Sequence, residues 1–248
     1  MIDLAGRVAV VTGGGGGIGS AICRRLASLG AIVVICVSER LERAEALAAS
    51  LSGTGHLVVR ARVDQSADVA ELAALVAATY GRVDVLVNAA GLTRPVPHAD
   101  LDSLDDELID RIFRVNWRGS FATVRSLQTM LAADGGGVVI NISSIAGITG
   151  LGSNVAYCAS KAAVDSMTRS LARALAPAIR VVSVSPGWVE GEYAASMPRE
   201  LLDAQTAATP MGRLATPVDV ADAVEAALIL RATTGTIIAV DGGRPLGV

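Results

Sequence analysis

Residues 7–19 read Arg7-Val8-Ala9-Val10-Val11-Thr12-Gly13-Gly14-Gly15-Gly16-Gly17-Ile18-Gly19. The apolar, valine-rich run Arg7–Thr12 predicts a strand buried on both faces. The segment Ile18–Leu29, closed by Gly30, predicts the helix that follows. Between them the glycines permit a sharp turn, close approach of a ligand to backbone amides, and tight packing of helix on strand. Strand, glycine turn and helix in this order predict dinucleotide binding by Gly13, Gly15, Gly16, Gly17, Ile18 and Gly19. The register stays open. G-x-G-x-x-G fits Gly14, Gly16 and Gly19, and G-x-x-x-G-x-G fits Gly13, Gly17 and Gly19.

Outward from this unit, short apolar runs alternate with longer helical patterns. Strands are predicted over 31–37, 57–63, 83–88, 137–142, 180–184 and 236–240. Helices are predicted over 41–50, 69–80, 155–175 and 218–230, with 104–130 forming one long helix or two abutting ones. Seven strands separated by helices imply right-handed crossovers. The expected fold is therefore α/β, a doubly wound seven-stranded parallel sheet with helices on both faces, in one domain over 1–248. Ligands of such sheets bind at the carboxyl ends of the strands. The stretch 186–217 is long for a connection; its 190–215 part is expected to be a substrate-covering loop with short helical pieces, or else a passive excursion.

Composition agrees and excludes several classes. Of the 248 residues 52% are hydrophobic but only 3% aromatic, so the core must be built from Ala, Val, Ile and Leu. A net charge of −3 argues against a nucleic-acid surface. No apolar run reaches the roughly 20 residues of a membrane span, and Met1–Arg7 lacks the layout of a secretory signal. The odd set Cys23, Cys36 and Cys158 suggests a reducing cytoplasm, and with His56 and His98 it makes no metal site.

The strand ends supply further candidates. Val37-Ser38-Glu39-Arg40 follows the second strand, where an acidic residue would hold ribose hydroxyls and repel a 2′-phosphate. Val37 is apolar, Ser38 can donate to a phosphate, and Glu39 and Arg40 pull in opposite directions. The balance leans toward NADP over NAD. Asp64, with Gln65 beside it, is placed to accept from an adenine amino group, and Asn88, Ala89 and Gly91 to let the dinucleotide lie close. Each of these also serves in ordinary turns.

Tyr157 and Lys161 are four residues apart on a predicted helix and so share a face. A phenol is a poor base at neutral pH, but a nearby ammonium favours its ionised form. That makes Tyr157 a candidate acid and base, with Ser144 able to hydrogen-bond a substrate oxygen. Asn116 interrupts the long helical pattern and could bind a water linking Lys161 to solvent. Taken singly, the three have plainer readings: a half-exposed helix pair, a cap and a satisfied buried amide. Asn154, Ser153, Thr149, Arg94, Trp188 and Tyr193 could line a substrate pocket or lie on loop surface.

Together these residues resemble the short-chain dehydrogenase/reductase family. Thr12-Gly13-x-x-x-Gly17-Ile18-Gly19, Asn88-Ala89-Ala90-Gly91, Asn116, Ser144, Tyr157-x-x-x-Lys161 and Pro186-Gly187 occur in the family's order, and Ser144 precedes Tyr157 by its usual 13 residues. The match spans essentially the whole chain and looks most like the 3-oxoacyl-carrier-protein reductase branch. The resemblance implies a Rossmann-type subunit, a catalytic set of Asn116, Ser144, Tyr157 and Lys161, and a Lys161 contact to the nicotinamide ribose. It also implies cofactor contacts from Pro186, Gly187 and Val189, and a homotetramer. The expected activity is carbonyl–alcohol interconversion on a small or carrier-linked substrate. NAD-dependent oxidation of a sugar, cyclic alcohol or steroid is the alternative, and a cofactor-sensing protein without turnover the remote one. Two departures stand out: Gly191 replaces a Thr or Ser, and Gly16 replaces a basic residue found in many NADP-preferring members.

Overall fold

The computed structural model describes residues 2–246. Its strands are β1 (Val8–Thr12), β2 (Ile32–Val37), β3 (Leu57–Arg60), β4 (Val85–Asn88), β5 (Gly137–Ile142), β6 (Ile179–Pro186) and β7 (Ile237–Val240). They form one parallel sheet in the order β3-β2-β1-β4-β5-β6-β7. The chain winds outward from β1 to β3, then returns to β4 on the other side of β1. A crevice therefore opens above the ends of β1 and β4, where the winding reverses.

Alternating residues of each strand feed two cores. Val11, Ile35 and Val87 pack with α1 (Gly17–Ser28), α2 (Leu41–Ser50) and α10 (Pro217–Ile229). Val10, Val34 and Leu86 pack on the other face with α3 (Ser66–Tyr80), α5 (Ser120–Ala132) and α7 (Val155–Leu175). Both cores are almost wholly aliphatic, as the shortage of aromatic residues requires. The remaining helices are α4 (Asp106–Phe113), α6 (Ala146–Thr149), α8 (Glu192–Ala195) and α9 (Arg199–Ala207). The last two are the helical pieces of the 190–215 loop. Among the described residues no helix is long and apolar enough to cross a membrane.

Two elements differ from the pattern in the sequence. β3 stops at Arg60, because its partner β2 ends at Val37, the residue paired with Arg60. The segment read as one or two helices is continuous, but α4 and α5 join through a π turn over Arg114–Gly119 with Asn116 inside it. Such insertions are frequent at functional sites.

Candidate active site

The glycine run is resolved by what surrounds each residue. Gly13 has φ +66°, and a Cβ there would lie 2.8 Å from Ala89 O and from Ala90 N and Cα. A Cβ on Gly19 would overlap the Gly13 carbonyl oxygen. Gly17 meets nothing within 4 Å. The register is thus Gly13, Gly17, Gly19: one glycine for the turn beside β4, one fronting open space, one for helix–strand contact. The first turn of α1 carries no acidic side chain. The positive end of its dipole faces that opening, the arrangement that suits a pyrophosphate. Thr12 braces the cradle: its hydroxyl accepts from Ala90 N at 3.2 Å.

The expected adenosine-side residues separate on inspection. Ser38 and Gln65 are exposed at the ends of β2 and before α3, free to meet a ligand. Arg60 Nε donates to Ser38 O at 3.4 Å, and Arg40 and Arg43 both pair with Glu192 of α8. Asp64 accepts from Arg62 at 3.0 Å, and its pKa is lowered: burial pushes it up, but Arg62 pulls it further down. Ala89 is half-buried and Gly91 exposed at the crevice. The Asn88 side chain turns into the sheet rather than toward the crevice. It is buried, donates to Asn141 Oδ1 at 2.9 Å and accepts from Thr123 at 2.7 Å, so its amide braces strands. Pro186 ends β6 in the core. Gly187 sits against Asp241, where a Cβ would come within 3.1 Å of its Cα, and Val189 bridges Ala215.

α7 places the reactive residues. Its N-cap, Asn154, accepts from Tyr157 N at 2.7 Å and donates to Arg94 O at 2.8 Å. Asn154 is fully buried, so it does not line a pocket as the sequence allowed. Lys161 is buried and its Nζ donates to Ile142 O at 2.8 Å, 5.7 Å from the centre of the Tyr157 ring. It is also the chain's one lysine; every other basic residue in the set of 21 is arginine. An arginine cannot give up its charge, whereas a buried lysine can. Burial lowers its pKa to about 8, against a smaller upward pull from Asp165.

By themselves, the protein groups around Tyr157 do not acidify it. Burial pushes its hydroxyl up to about 12, Ser144 pulls it down only partly, and Lys161 is not among the groups that shift it. The Lys161 ammonium donates to a backbone carbonyl rather than to the phenol. The amide of Asn116 is bonded on both of its ends. Its Oδ1 accepts from Leu92 N at 2.7 Å, and its Nδ2 donates to Leu92 O at 3.1 Å and Ser160 Oγ at 3.0 Å. The side chain is spent tying the π turn to the segment after β4 and to α7.

One polar row escaped the sequence reading. Thr12, Asn88, Asn141 and Ser183 stand in register across β1, β4, β5 and β6. Asn141 passes the chain on to Thr168 at 2.8 Å and Thr168 to Ser183 at 3.0 Å. An asparagine inside the apolar strand Gly137–Ile142 was the available signal. Of the pocket candidates, Ser153 shares a hydrogen bond with Thr93, Trp188 stacks on Tyr193 at 6.1 Å, and Thr149 bonds back to Ile145 O at 3.0 Å. Arg94 reaches Ser103 O at 3.1 Å. Gly191 has φ +142° with open space around it, a backbone region that a Thr or Ser would enter only with strain.

Comparisons with known proteins agree with this geometry. The sequence profile described as short chain dehydrogenase matches residues 7–201. A Streptomyces violaceoruber protein, named as the second ketoacyl reductase of the granaticin polyketide synthase, is 39% identical over 241 residues, 96% of each chain. Cis-4-hydroxycyclohexanecarboxylate dehydrogenase of Sinomonas cyclohexanicum is 38% identical over 244 residues, again 96% of each chain. A crystal structure titled as a short-chain dehydrogenase/reductase, glucose/ribitol dehydrogenase, from Brucella melitensis superposes with a TM-score of 0.92 at 30% identity over 98% of each chain. The chain belongs to the short-chain dehydrogenase/reductase family and is an NAD(P)-dependent oxidoreductase.

Proposed function

We propose that this enzyme reduces a 3-oxoacyl-type carbonyl to a secondary alcohol, preferring NADP(H). The observation that carries the proposal is the start of α7, where half-buried Tyr157 lies beside Ser144 at the carboxyl edge of the sheet with buried Lys161 one turn on. Gly13–Gly19, Ser38, Asp64, Gln65, Ala89, Gly91, Lys161 and the Pro186–Val189 segment would hold the dinucleotide. When bound, it supplies the transferable hydride.

The chain's own residues do the rest. Ser144 orients the carbonyl oxygen by hydrogen bonding, and Tyr157 delivers its proton to that oxygen as negative charge develops. Lys161 holds a positive charge behind Tyr157, and Asn116 fixes the π turn that closes this part of the site. Ser38, exposed and with Arg60 bonded to its carbonyl, favours a 2′-phosphate, although Arg40 and Arg43 are paired with Glu192. The name of the Streptomyces relative supports the acyl substrate. Assembly as a cytoplasmic homotetramer is part of the same proposal and rests on the family.

A second reading, NAD-dependent oxidation of a cyclic alcohol, is favoured by Glu39, by the lack of a basic residue at Gly16, and by the name of the Sinomonas relative. Steady-state rates on acyl thioesters and cyclic alcohols, in both directions and with each nicotinamide, separate the two. The Tyr157→Phe variant is expected to lose turnover by about 10²-fold or more with dinucleotide affinity retained. Turnover near the wild-type value would overturn the assignment of Tyr157.

A further inference from the structure

Tyr157, Lys161 and Asp165 follow at four-residue intervals along α7, so they form one stripe on that helix. Lys161 and Asp165 are 5% and 2% exposed. Asp165 is a buried charge that the chemistry above leaves unused. Neither of its carboxylate oxygens has a hydrogen-bond partner. The hydroxyls of Ser143 and Ser183 lie beside it and favour its charge, but burial outweighs them and raises its pKa.

Lys161 is in the complementary position. Its one hydrogen bond goes to a neutral carbonyl, Ile142 O, which cannot cancel a charge. A buried ion without a counter-charge is costly. Here two ions of opposite sign lie one helical turn apart, with Arg169 the other charge that acts on Asp165. The side chains that hydrogen-bond α7 from neighbouring elements are neutral: Asn116 on the π turn, Asn141 and Ser143 at β5, Ser183 on β6. On α7 itself, Arg169 also favours the Asp165 carboxylate.

We propose that Asp165 is a positioning residue for the reaction, its carboxylate holding Lys161 as an ammonium behind Tyr157. This rests on the reading of Lys161 as part of the catalytic set. The direction of the lysine titration agrees: burial drives its pKa down to about 8, and Asp165 is the group that pushes back. Without the carboxylate, Lys161 becomes a neutral amine near physiological pH.

Because Lys161 is the sole lysine, protein labelled with ¹³C at lysine Cε gives a single lysine resonance. Its titration midpoint is expected near 8 in the wild type. Asp165→Asn should move it down by about one unit, the low end of what a nearby opposite charge achieves. The alkaline limb of kcat should move with it, and Asp165→Glu should restore much of both. Asp165→Ser provides the same comparison if the amide does not fold. A variant that melts earlier but leaves the lysine midpoint in place makes Asp165 merely structural and overturns the proposal. If the wild type transfers no hydride to any substrate, the catalytic reading fails, yet the resonance still decides whether Asp165 holds the ammonium.

Discussion

Two glycines of one turn answer to different physical demands. Gly19 is fixed by the protein itself, since any Cβ there meets the Gly13 carbonyl. Gly17 is fixed by nothing within the chain and fronts open space at the head of α1. Gly19→Ala should therefore cost about 1–3 kcal/mol of stability, read as a lower urea midpoint. Gly17→Ala should fold with stability within roughly 1 kcal/mol of the wild type but bind NADPH and NADH roughly tenfold more weakly. Equal nucleotide affinity in Gly17→Ala would show that the cradle lies elsewhere. Lys161 follows a related logic, for the chain uses arginine at every other basic position and reserves its lysine for a buried one.

α7 carries the reactive residues, and its start is set by a cap. Asn154 satisfies the Tyr157 amide and ties Arg94 to the same point. Asn154→Ala should cost about 1–2 kcal/mol and lower kcat, leaving dinucleotide affinity nearly unchanged. A full loss of nucleotide binding would mean instead that Asn154 supports the whole crevice. The cap was legible in principle, as an asparagine directly before the periodic run Val155–Leu175. Its proximity to Tyr157 suggested a pocket residue, and sequence distance says nothing about which way a side chain turns. The π turn was visible only as an interruption at Asn116. Whether it would break the helix or merely widen one turn depends on Leu92 and Ser160, to which the Asn116 amide is bonded.

Across the whole molecule, the sheet is braced at both ends by polar groups. At its amino edge Asp84 accepts from Val8 N at 2.9 Å, from Arg7 at 2.7 Å and from Arg82 at 2.6 Å and 2.9 Å, locking β1 to the entry of β4. Burial pushes the Asp84 carboxyl up, but the Arg82, Val8 and Arg7 bonds win and hold it below the usual carboxylate range. A depressed folded-state pKa gives stability that is present above the unfolded value and lost as pH falls through the folded one. Denaturant midpoints measured from pH 5 down to 2 should fall less steeply in Asp84→Asn than in the wild type; equal slopes would remove Asp84 from that role. At the carboxyl edge, the row Thr12, Asn88, Asn141 and Ser183 underlies the crevice. The order of elements, the doubly wound sheet and the strand ends that carry the site were determined by sequence alone, because the alternation of apolar runs and helical periods is a local property of the chain. The glycine register, the consumption of Asn88, Asn116 and Asn154 in bracing, and the surroundings of Tyr157 and Asp165 were decided by the tertiary structure. Whether a polar group is free or satisfied depends on partners brought to it from distant parts of the chain.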